Sequence, residues 1–201
     1  MTATDEPDGP ATDDHQRTRK RLVDAAEAIV RTDGVSALRL DAVADEVGLH
    51  RSSVYRYFDS KEALVTAVVV QATLRVGRTV IDRLGEDAPP ERFLAEGLAI
   101  ALAEMAVDPV HRSLLDPAAS AWIARIGPRV MTEGIRPLVE PIFTDAAGRG
   151  ALRDGVTPDD AIRWLQIVAM GLVRTTEPAP DADALVALLE RMLVPALLRP
   201  G

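Results

Sequence analysis

Apolar residues recur along most of this chain at the three- and four-residue spacing of amphipathic α-helices. The first such run spans residues 16–33 and ends at Gly34. No segment alternates apolar and polar residues with the period of two that is typical of β-strands, and the chain has no internal repeat. The pattern therefore predicts an all-α fold. The apolar positions of the first helix are Leu22, Ala25, Ala26, Ile29 and Val30.

The most informative stretch is 40–61, where two short apolar periods meet at Gly48. A small residue such as Ala44 lets two helices approach closely, and glycine adopts the positive φ of a sharp reversal without steric cost. The residues after the turn are short of apolar side chains and rich in groups that bind phosphates or base edges. We therefore predict a helix-turn-helix with helices at about 41–47 and 51–57, the second of them exposed.

Gly, Pro and capping residues mark out six further helices. A fourth helix is expected to begin after Asp59 or Ser60 and to run to about Leu84. At about 1.5 Å per residue it is more than roughly 35 Å long, a length that suits a connector. The remaining elements are expected at about 90–106, between Asp108 and Pro117, at 117–147 as two helices or one kinked helix, from Thr157 to about 175, and from Asp181 onward.

Composition limits what these helices can bury and where the protein works. Hydrophobic residues make up 47% of the chain but aromatic residues only 3%, so the core must consist of Ala, Val, Leu and Ile. The absence of cysteine excludes disulfides and thiolate chemistry and fits a reducing compartment. The first residues lack a basic region followed by an apolar run, and no apolar stretch reaches the roughly 18 residues of a spanning helix. We therefore expect a cytoplasmic protein with no membrane partner.

The net charge of −8 is unevenly distributed along the chain. Residues 1–14 carry five acids and no base, and their lack of apolar periodicity predicts a disordered acidic tail; a weak metal-binding cluster of Asp13, Asp14 and His15 is the alternative there. Residues 15–65 carry nine bases and eight acids. Because salt screens charges beyond about 10 Å, local charge matters more than the total, and DNA binding is not excluded. The bases that crowd the start of the first helix are Arg17, Arg19, Lys20 and Arg21.

Residues 48–64, GLHRSSVYRYFDSKEAL, resemble the tetracycline-repressor (TetR) family of bacterial transcription regulators. The family pattern is a glycine turn, an apolar residue, a short recognition helix, Tyr-x-His/Tyr-Phe, a short linker and Lys-Glu-x-Leu. The resemblance is close over 15–66, and the nine-helix order extends it in outline. The matching positions are Gly48, Leu49, Tyr55, Tyr57, Phe58, Lys61, Glu62 and Leu64.

The resemblance implies an all-α homodimer in which the last two helices of each subunit form a four-helix bundle. It implies a helix-turn-helix DNA-binding domain at 15–62, hereafter the head, and a helical ligand-binding and dimerisation domain at 63–201. A small molecule bound to the second domain would move the two heads apart, and no cofactor is implied. The residues independently support the bundle, because the eighth helix is apolar nearly all round and needs partners on every side.

The resemblance also assigns DNA contacts to individual residues. Arg51 and Ser52 fall where the family reads base edges, and an Arg fork on guanine O6 and N7 is worth about 1 to 3 kcal/mol of discrimination. Tyr55 and Phe58 could instead pack in the core of the head, and Tyr57 can do both. The positions on phosphate contacts are Ser53, Tyr55, Tyr57 and Lys61, and Arg56 fits either role.

The chain departs from the family pattern at four positions. His50 replaces a frequent Ser before the recognition helix and is expected to be a turn residue rather than a base reader; Ser52 replaces Gly or Pro. Arg39 stands where a Thr often binds a phosphate and is expected to substitute for it. Asp41 stands where some members place a basic residue, which argues against a base contact from the second helix.

A small-molecule pocket is expected in the C-terminal domain, although Trp and Met at helical spacing belong to a core more often than to a pocket. Arg125 lies mid-helix beside Trp122 and Ile126. We expect a partly buried cation there, which meets either an anionic ligand or an internal carboxylate. The candidate pocket residues are Phe93, Met105, His111, Trp122, Arg125, Met131, Trp164 and Met170.

Enzyme chemistry is not indicated. Three scattered histidines, no cysteine, no phosphate-binding Gly-rich loop and no HExxH or GxSxG motif leave no site with matched ligands or a nucleophile. The sequence predicts a ligand-responsive transcriptional regulator, a repressor that binds a palindromic double-stranded DNA operator as a homodimer and is released by a small molecule. The alternative is a helical small-molecule-binding or protein-interaction module without DNA binding. Cations at Arg51, Arg56 and Lys61 favour the regulator, since such a module has no reason to keep them on one face.

Overall fold

Nine helices make up most of the protein in a computed structural model, which describes residues 10–116, 119–175 and 181–200. The predicted all-α class is confirmed, and β structure within those ranges is limited to an isolated bridge between Leu152 and Leu198. The helices are α1 (Pro10–Asp33), α2 (Leu40–Glu46), α3 (Arg51–Val54), α4 (Lys61–Leu84), α5 (Pro90–Arg92, Phe93–Gly97 and Leu98–Val107 in succession), α6 (Pro109–Leu115), α7 (Ser120–Val130, Met131–Ile135 and Arg136–Gly148 in succession), α8 (Pro158–Thr175) and α9 (Ala182–Met192, followed by the short turn Val194–Leu197).

Helix α1 begins earlier than the apolar pattern predicted. It starts at Pro10, so residues 10–14 of the expected disordered tail are helical, and residues 1–9 lie outside the described part of the chain. Asp13 and Asp14 pair with Arg17 one turn later at 2.5 and 3.5 Å, and an acid in the first turn also favours the helix dipole. These charge pairs stabilise the first turn of α1, which has no apolar periodicity that would have predicted it. Among the described residues, no group of three or more His, Cys, Asp or Glu side chains could hold a metal ion.

Helix α3 is shorter than predicted, ending at Val54 instead of about residue 57. The chain turns tightly there, since the amides of Tyr57 and Phe58 both donate to the carbonyl of Val54, at 2.9 and 3.0 Å. Val54 and Phe58 are buried in the head. The turn keeps Phe58 on the same inward side as Val54, four residues earlier, so both anchor the end of α3 in the head.

The region predicted as two helices or one kinked helix is one continuous helix, α7, which contains a π-helical segment at Met131–Ile135. A second π-helical segment, Phe93–Gly97, lies in α5. Where α7 crosses α4, a Cβ added at Gly134 would lie 3.5 Å from Thr73, and one at Gly77 would lie 2.4 Å from a Leu138 methyl. Two glycines therefore let α4 and α7 pack closely.

The buried apolar residues form two clusters, and the head does not have one to itself. The cluster under the head, hereafter the head core, continues from α1–α3 into α4, α6 and α7. The C-terminal core lies among α5, α7, α8 and α9. Helix α4 therefore physically joins the head to the rest of the protein. Representative members of the head core are Leu22, Val43, Val54, Phe58, Val65, Val68, Val110 and Ile126.

Helix α4 is also the one helix in the described residues that is long and apolar enough, by length and composition alone, to cross a membrane. Half of the most apolar segment of α4 is buried inside the protein. Such burial is what the central helix of a folded domain shows. Its N-terminal cap is Ser60, whose hydroxyl accepts the amide of Ala63 at 3.1 Å, as one of the two predicted caps.

Helices α8 and α9 each bury one face and leave an apolar stripe uncovered. On α8, Ala161, Ile162 and Leu165 are buried, whereas Ile167 is 54% exposed. On α9, Leu185 and Leu189 are buried in the C-terminal core. The uncovered apolar residues, hereafter the α8–α9 stripe, are Trp164, Ile167, Met170, Leu188 and Met192.

Candidate nucleic-acid interface

Gly48 shapes the turn between α2 and α3. Its φ is +71°, and a Cβ there would meet nothing within 4 Å, so backbone conformation and not space requires glycine. The amide of Gly48 donates to the carbonyl of Asp45 at 3.1 Å, and that of Leu49 donates to Ala44 at 2.8 Å. Together these bonds end α2 and redirect the chain into α3, which is the predicted geometry.

His50 is the N-cap of α3. Its Nδ1 accepts the backbone amide of Ser52 at 3.3 Å and lies 2.8 Å from the Ser52 hydroxyl. An imidazole nitrogen thus replaces the Ser or Thr oxygen that usually satisfies the first free amides of a helix. His50 is the turn residue that the sequence predicted.

Helix α3 presents a polar face to solvent. Arg51 and Ser52 are exposed, Ser53 is half-buried, and Val54 is buried beneath the helix; Arg56, in the turn after the helix, is also exposed. Arginines on an exposed short helix after such a turn can reach phosphates and base edges in a major groove. These predicted contact residues therefore lie together on one accessible surface.

The three aromatic residues after α3 divide between core and surface. Tyr55 is 46% exposed, which leaves its ring and hydroxyl available, whereas Phe58 is buried with the Arg19 guanidinium 4.8 Å from its ring centroid. The half-buried Tyr57 stacks on His15 of α1 at a centroid distance of 4.6 Å. The packing alternative is therefore right for Phe58 and wrong for Tyr55.

Lys61 lies at the N-terminus of α4, half-buried beneath the head. Its ammonium is 5.0 Å from the centroid of the Trp122 ring and 3.4 Å from the carbonyl oxygen of Ser36. Burial lowers the pKa of this amine, and the neighbouring Glu62 carboxylate opposes that effect. Lys61, a predicted phosphate contact, therefore also interacts with α7 through Trp122. Its position in the sequence did not indicate this interaction.

Arg39 and Asp41 form a two-point pair at the start of α2. Arg39 Nε donates to Asp41 Oδ1 at 3.2 Å, and Nη2 donates to Oδ2 at 2.7 Å. The hydrogen bond from Arg39 lowers the pKa of Asp41 to about 2. The acid that argued against base contacts from α2 is therefore engaged by the cation two residues before it.

These residues line a shallow surface concavity of about 510 Å³ on the head. It joins the start of α2, the exposed side of α3 and the N-terminus of α4, so both signs of charge meet there. Such a groove next to an exposed helix fits a charged polymer better than an apolar ligand. Its lining residues are Leu38, Arg39, Leu40, Asp41, Arg51, Tyr55, Asp59, Ser60 and Lys61.

One supporting contact was missed by the sequence interpretation. Arg21 of α1 donates from Nη2 to the carbonyl of Val47 at 2.9 Å, which ties α1 to the end of α2. The sequence showed Arg21 only as part of a basic group. Its neighbour Lys20 pairs with Asp24 at 2.6 Å. The crowded bases of α1 are thus partly used within the head.

Comparison with known proteins places this head among described regulators. A sequence model of "Bacterial regulatory proteins, tetR family" matches residues 22–68, from α1 into α4. An uncharacterised HTH-type transcriptional regulator of Mycobacterium tuberculosis is 31% identical over 189 residues, a match covering 87% of this chain and 83% of that protein. The chain belongs to the TetR family. This TetR-family protein is therefore a DNA-binding helix-turn-helix transcriptional regulator and not an enzyme.

Solved structures share the fold of this TetR-family chain. RolR in complex with resorcinol has a TM-score of 0.64 at 21% identity, covering 90% of this chain and 89% of that one. SmeT, the repressor of the Stenotrophomonas maltophilia multidrug efflux pump SmeDEF, has a TM-score of 0.57 at 22% identity, covering 94% of both chains. At such identities the likeness establishes the fold, and it extends through the C-terminal helices.

The eight residues predicted to form the pocket of this TetR-family protein lie in different surroundings. Trp122 packs against the head core and Phe93 against the C-terminal core, while Trp164 and Met170 are exposed on α8. Met105 and Met131 are half-buried. A second concavity, of about 330 Å³, lies along α8 and includes Trp164.

The expectation of a partly buried cation at Arg125 is wrong. The Arg125 side chain is 63% exposed and pairs with Glu62 Oε1 at 3.1 Å. The face of α7 that carries Arg125 passes the first turn of α4, so the guanidinium reaches a surface acid there. Its environment depends on how two distant helices pack, which one helix's pattern does not reveal.

His111 lies in a buried polar group that joins α1, α4 and α6. Its Nδ1 is 3.1 Å from Asp108 Oδ1 and its Nε2 is 3.3 Å from the Thr73 hydroxyl. Arg75 Nη2 donates to Glu27 Oε1 at 2.7 Å and lies 3.5 Å from Asp108 Oδ2. We call these five residues the junction cluster; every polar side-chain atom buried in the described part of the chain has a partner.

Proposed function

We propose that this TetR-family chain is a cytoplasmic, ligand-responsive repressor that binds a palindromic operator as a homodimer. The observation that best supports this proposal is the exposed polar face of α3, which lies beside a groove lined by cations from α2, α3 and α4. In this proposal Arg51 and Ser52 read base edges, and Arg39 contributes from the start of α2. The remaining proposed phosphate contacts are Ser53, Tyr55, Arg56, Tyr57 and Lys61.

The α8–α9 stripe supports the homodimer. Five large apolar side chains are exposed on α8 and α9, which follow one another in the chain, at spacings of three on α8 and four on α9. An apolar patch of this kind is typical of a protein–protein interface, and two such helix pairs form a four-helix bundle. A twofold dimer would present two heads to the two halves of an inverted repeat.

The contacts between α7 and α4 support control by a small molecule. Trp122 and Arg125, both on α7, contact Lys61 and Glu62 in the first turn of α4. A movement of α7 would therefore shift the base of the head directly. Among proteins of similar fold, RolR binds resorcinol and SmeT represses a multidrug efflux pump, which is in keeping with a small organic effector.

The test is binding to the DNA upstream of the chain's own coding region, compared with random duplex, by fluorescence anisotropy over a range of salt. Each neutralised phosphate should contribute about −0.9 to the log–log salt slope. Arg51→Ala should relax sequence preference by about tenfold, and Lys61→Ala should weaken specific and random binding alike. Arg78→Ala, an exposed cation on α4 remote from the groove, is the matched control.

Unchanged affinity in both Arg51→Ala and Lys61→Ala would refute the proposed interface. An absence of salt-dependent binding by the unaltered protein would instead favour the alternative, a small-molecule-binding or protein-interaction module. Arg51 and Arg56 weigh against that module, since both cations are exposed to solvent at the helix-turn-helix.

A further inference from the structure

The Arg39–Asp41 pair has a geometry that matters for reading DNA. Asp41 approaches the guanidinium from the side, accepting from Nε and Nη2. This arrangement uses Nε–H and one Nη2–H. The end-on edge, formed by Nη1–H and the other Nη2–H, remains available. Those two parallel donors are the fork that matches O6 and N7 of guanine.

The pair also holds the guanidinium plane in one orientation. Arg39 is the N-cap residue of α2 with extended backbone, and its side chain is 74% exposed. Asp41 is fixed in turn, because its Oδ1 also accepts the amide of Ala42 at 3.1 Å. A long side chain at the surface otherwise loses conformational entropy when it binds, so orienting it beforehand favours a bidentate contact.

The pair lies on the proposed DNA-binding surface. Arg39 and Asp41 line the same concavity as Arg51, Tyr55 and Lys61. An unpaired carboxylate in that position would repel the phosphate backbone and weaken binding. A carboxylate that orients a neighbouring Arg favours binding, which explains an acid among the residues that line the proposed DNA-binding groove.

We propose that Arg39 reads a guanine in each operator half-site and that Asp41 is its positioning residue. The proposal rests on the proposed function, since it concerns the same interface. In this proposal the base contact is made by Arg39, and not by residue 41, which is an acid in this chain. A phosphate contact would use any orientation of Arg39 and would gain nothing from a nearby acid.

The test is selection of binding sites from a randomised duplex pool, with sequencing, for the unaltered protein and its variants. The unaltered protein should enrich a motif with a guanine at one fixed position of each half-site. Arg39→Ala and Asp41→Ala should both lose that guanine, with about tenfold lower preference, and retain the rest of the motif. Arg39→Lys should fail to restore it, because an ammonium cannot form the fork.

Simple electrostatics predicts the opposite for the acid. If Asp41 only repelled DNA, Asp41→Ala would bind the same motif more tightly, and that result would overturn the proposal. An even loss of affinity for all sequences in Arg39→Ala would also overturn it by making Arg39 a phosphate contact. Asp41→Leu, which keeps a similar side-chain volume and removes both acceptor oxygens, gives the same readout if Asp41→Ala is poorly folded.

Asp45→Ala, which removes another acid from α2 one turn later, is the control and should keep the complete motif. The guanine assignment and the proposed function can be refuted separately. A motif that survives intact in Arg39→Ala and Asp41→Ala overturns only the guanine assignment. An unaltered protein that selects no motif overturns the proposed function together with it.

Discussion

At the scale of single residues, His111 and Asp108 show how burial and hydrogen bonding oppose each other. Burial lowers the pKa of His111, because it penalises the charged imidazolium, and the nearby Asp108 carboxylate only partly offsets this. Burial alone would raise the pKa of Asp108, but hydrogen bonds from the His111 amide and ring outweigh it and the net pKa is lowered. Asp108 also caps α6, accepting the amides of Val110 and His111 at 2.9 and 3.1 Å. The junction cluster is therefore built for a neutral imidazole beside an ionised acid.

This arrangement predicts a loss of stability in mild acid. As the pH falls below about 6.5, the unfolded chain protonates residue 111 before the folded protein does, so the free energy of unfolding should fall by up to about 1.4 kcal/mol per pH unit. The contribution of Asp108, whose folded pKa is also lowered, is lost only at more acidic pH. Urea unfolding between about pH 7.5 and 5.5, followed by circular dichroism, measures the slope.

His111→Gln should flatten that slope while keeping hydrogen-bonding capacity, and His15→Gln, at an exposed histidine of α1, should leave it unchanged. Two other charged groups face His111: Arg75 lowers the pKa of its imidazole, and Glu27 raises it. Equal slopes for His111→Gln and the unaltered protein would show that the junction cluster does not govern stability in this range.

At the scale of helices, the sequence predicted the features that depend on residues close together in the chain. Gly48 and the helix starts at Ser60 and Thr157 depend on the neighbouring backbone, and all three lie where the sequence predicted them. The Thr157 cap is reciprocal, because its amide donates to Asp160 Oδ2 at 3.1 Å while the Asp160 amide donates to Thr157 Oγ1 at 3.2 Å.

The interactions that the sequence could not predict join elements far apart in the chain. Arg125 reaches Glu62 across 63 positions, and the Lys61 ammonium lies 5.0 Å from the centroid of the Trp122 ring. The Arg39–Asp41 pair is local, but whether an acid opposes or orients a cation depends on side-chain geometry. For the proposed DNA-binding residues, residue types and the turn predicted which side chains share an accessible surface, but not the partners that position each of them.

The contact of Lys61 with Trp122 predicts an optical signal for DNA binding. A cation–π contact at a partly exposed site is worth only about 0.5–1 kcal/mol, so a phosphate can draw the ammonium away from the ring. The chain has two tryptophans, and Trp164→Phe leaves Trp122 as the single tryptophan, which can be excited selectively over the two tyrosines. We expect its emission to change on addition of operator DNA at low salt and to return when salt releases the DNA.

Lys61→Met in the same background should remove most of that change, because no ammonium remains to leave the indole. Arg78→Met is the matched control and should retain the full signal. If Lys61→Met gave the same emission change as its parent, the Lys61 amine would not move between Trp122 and the DNA.

At the scale of the whole molecule, the α8–α9 stripe predicts a dimer that a single charge disrupts. Burial of one large aliphatic side chain contributes about 1.5–3 kcal/mol, and an unpaired charge in the same place costs more. Ile167→Glu should therefore raise the dimer dissociation constant by at least about tenfold. Sedimentation velocity near physiological salt provides the measurement.

Val107→Glu adds the same charge to an exposed apolar residue at the end of α5 next to the junction cluster, and it should leave the dimer intact. A monomeric mass for the unaltered protein, or an undiminished dimer in Ile167→Glu, would contradict the bundle. Operator binding should weaken in parallel with dissociation, since each half-site is bound by one head.

The head core has a consequence for building chimeric regulators. Val110 of α6 and Ile126 of α7 are almost fully buried against side chains of α1–α4, so the head shares its interior with helices that begin more than 40 residues after it ends. A graft cut at residue 62 would place a foreign surface on α6 and α7 against an unmatched interior. To exchange operator preference, one would transplant the head with the inward faces of α4, α6 and α7, or only the outward side chains of α2 and α3.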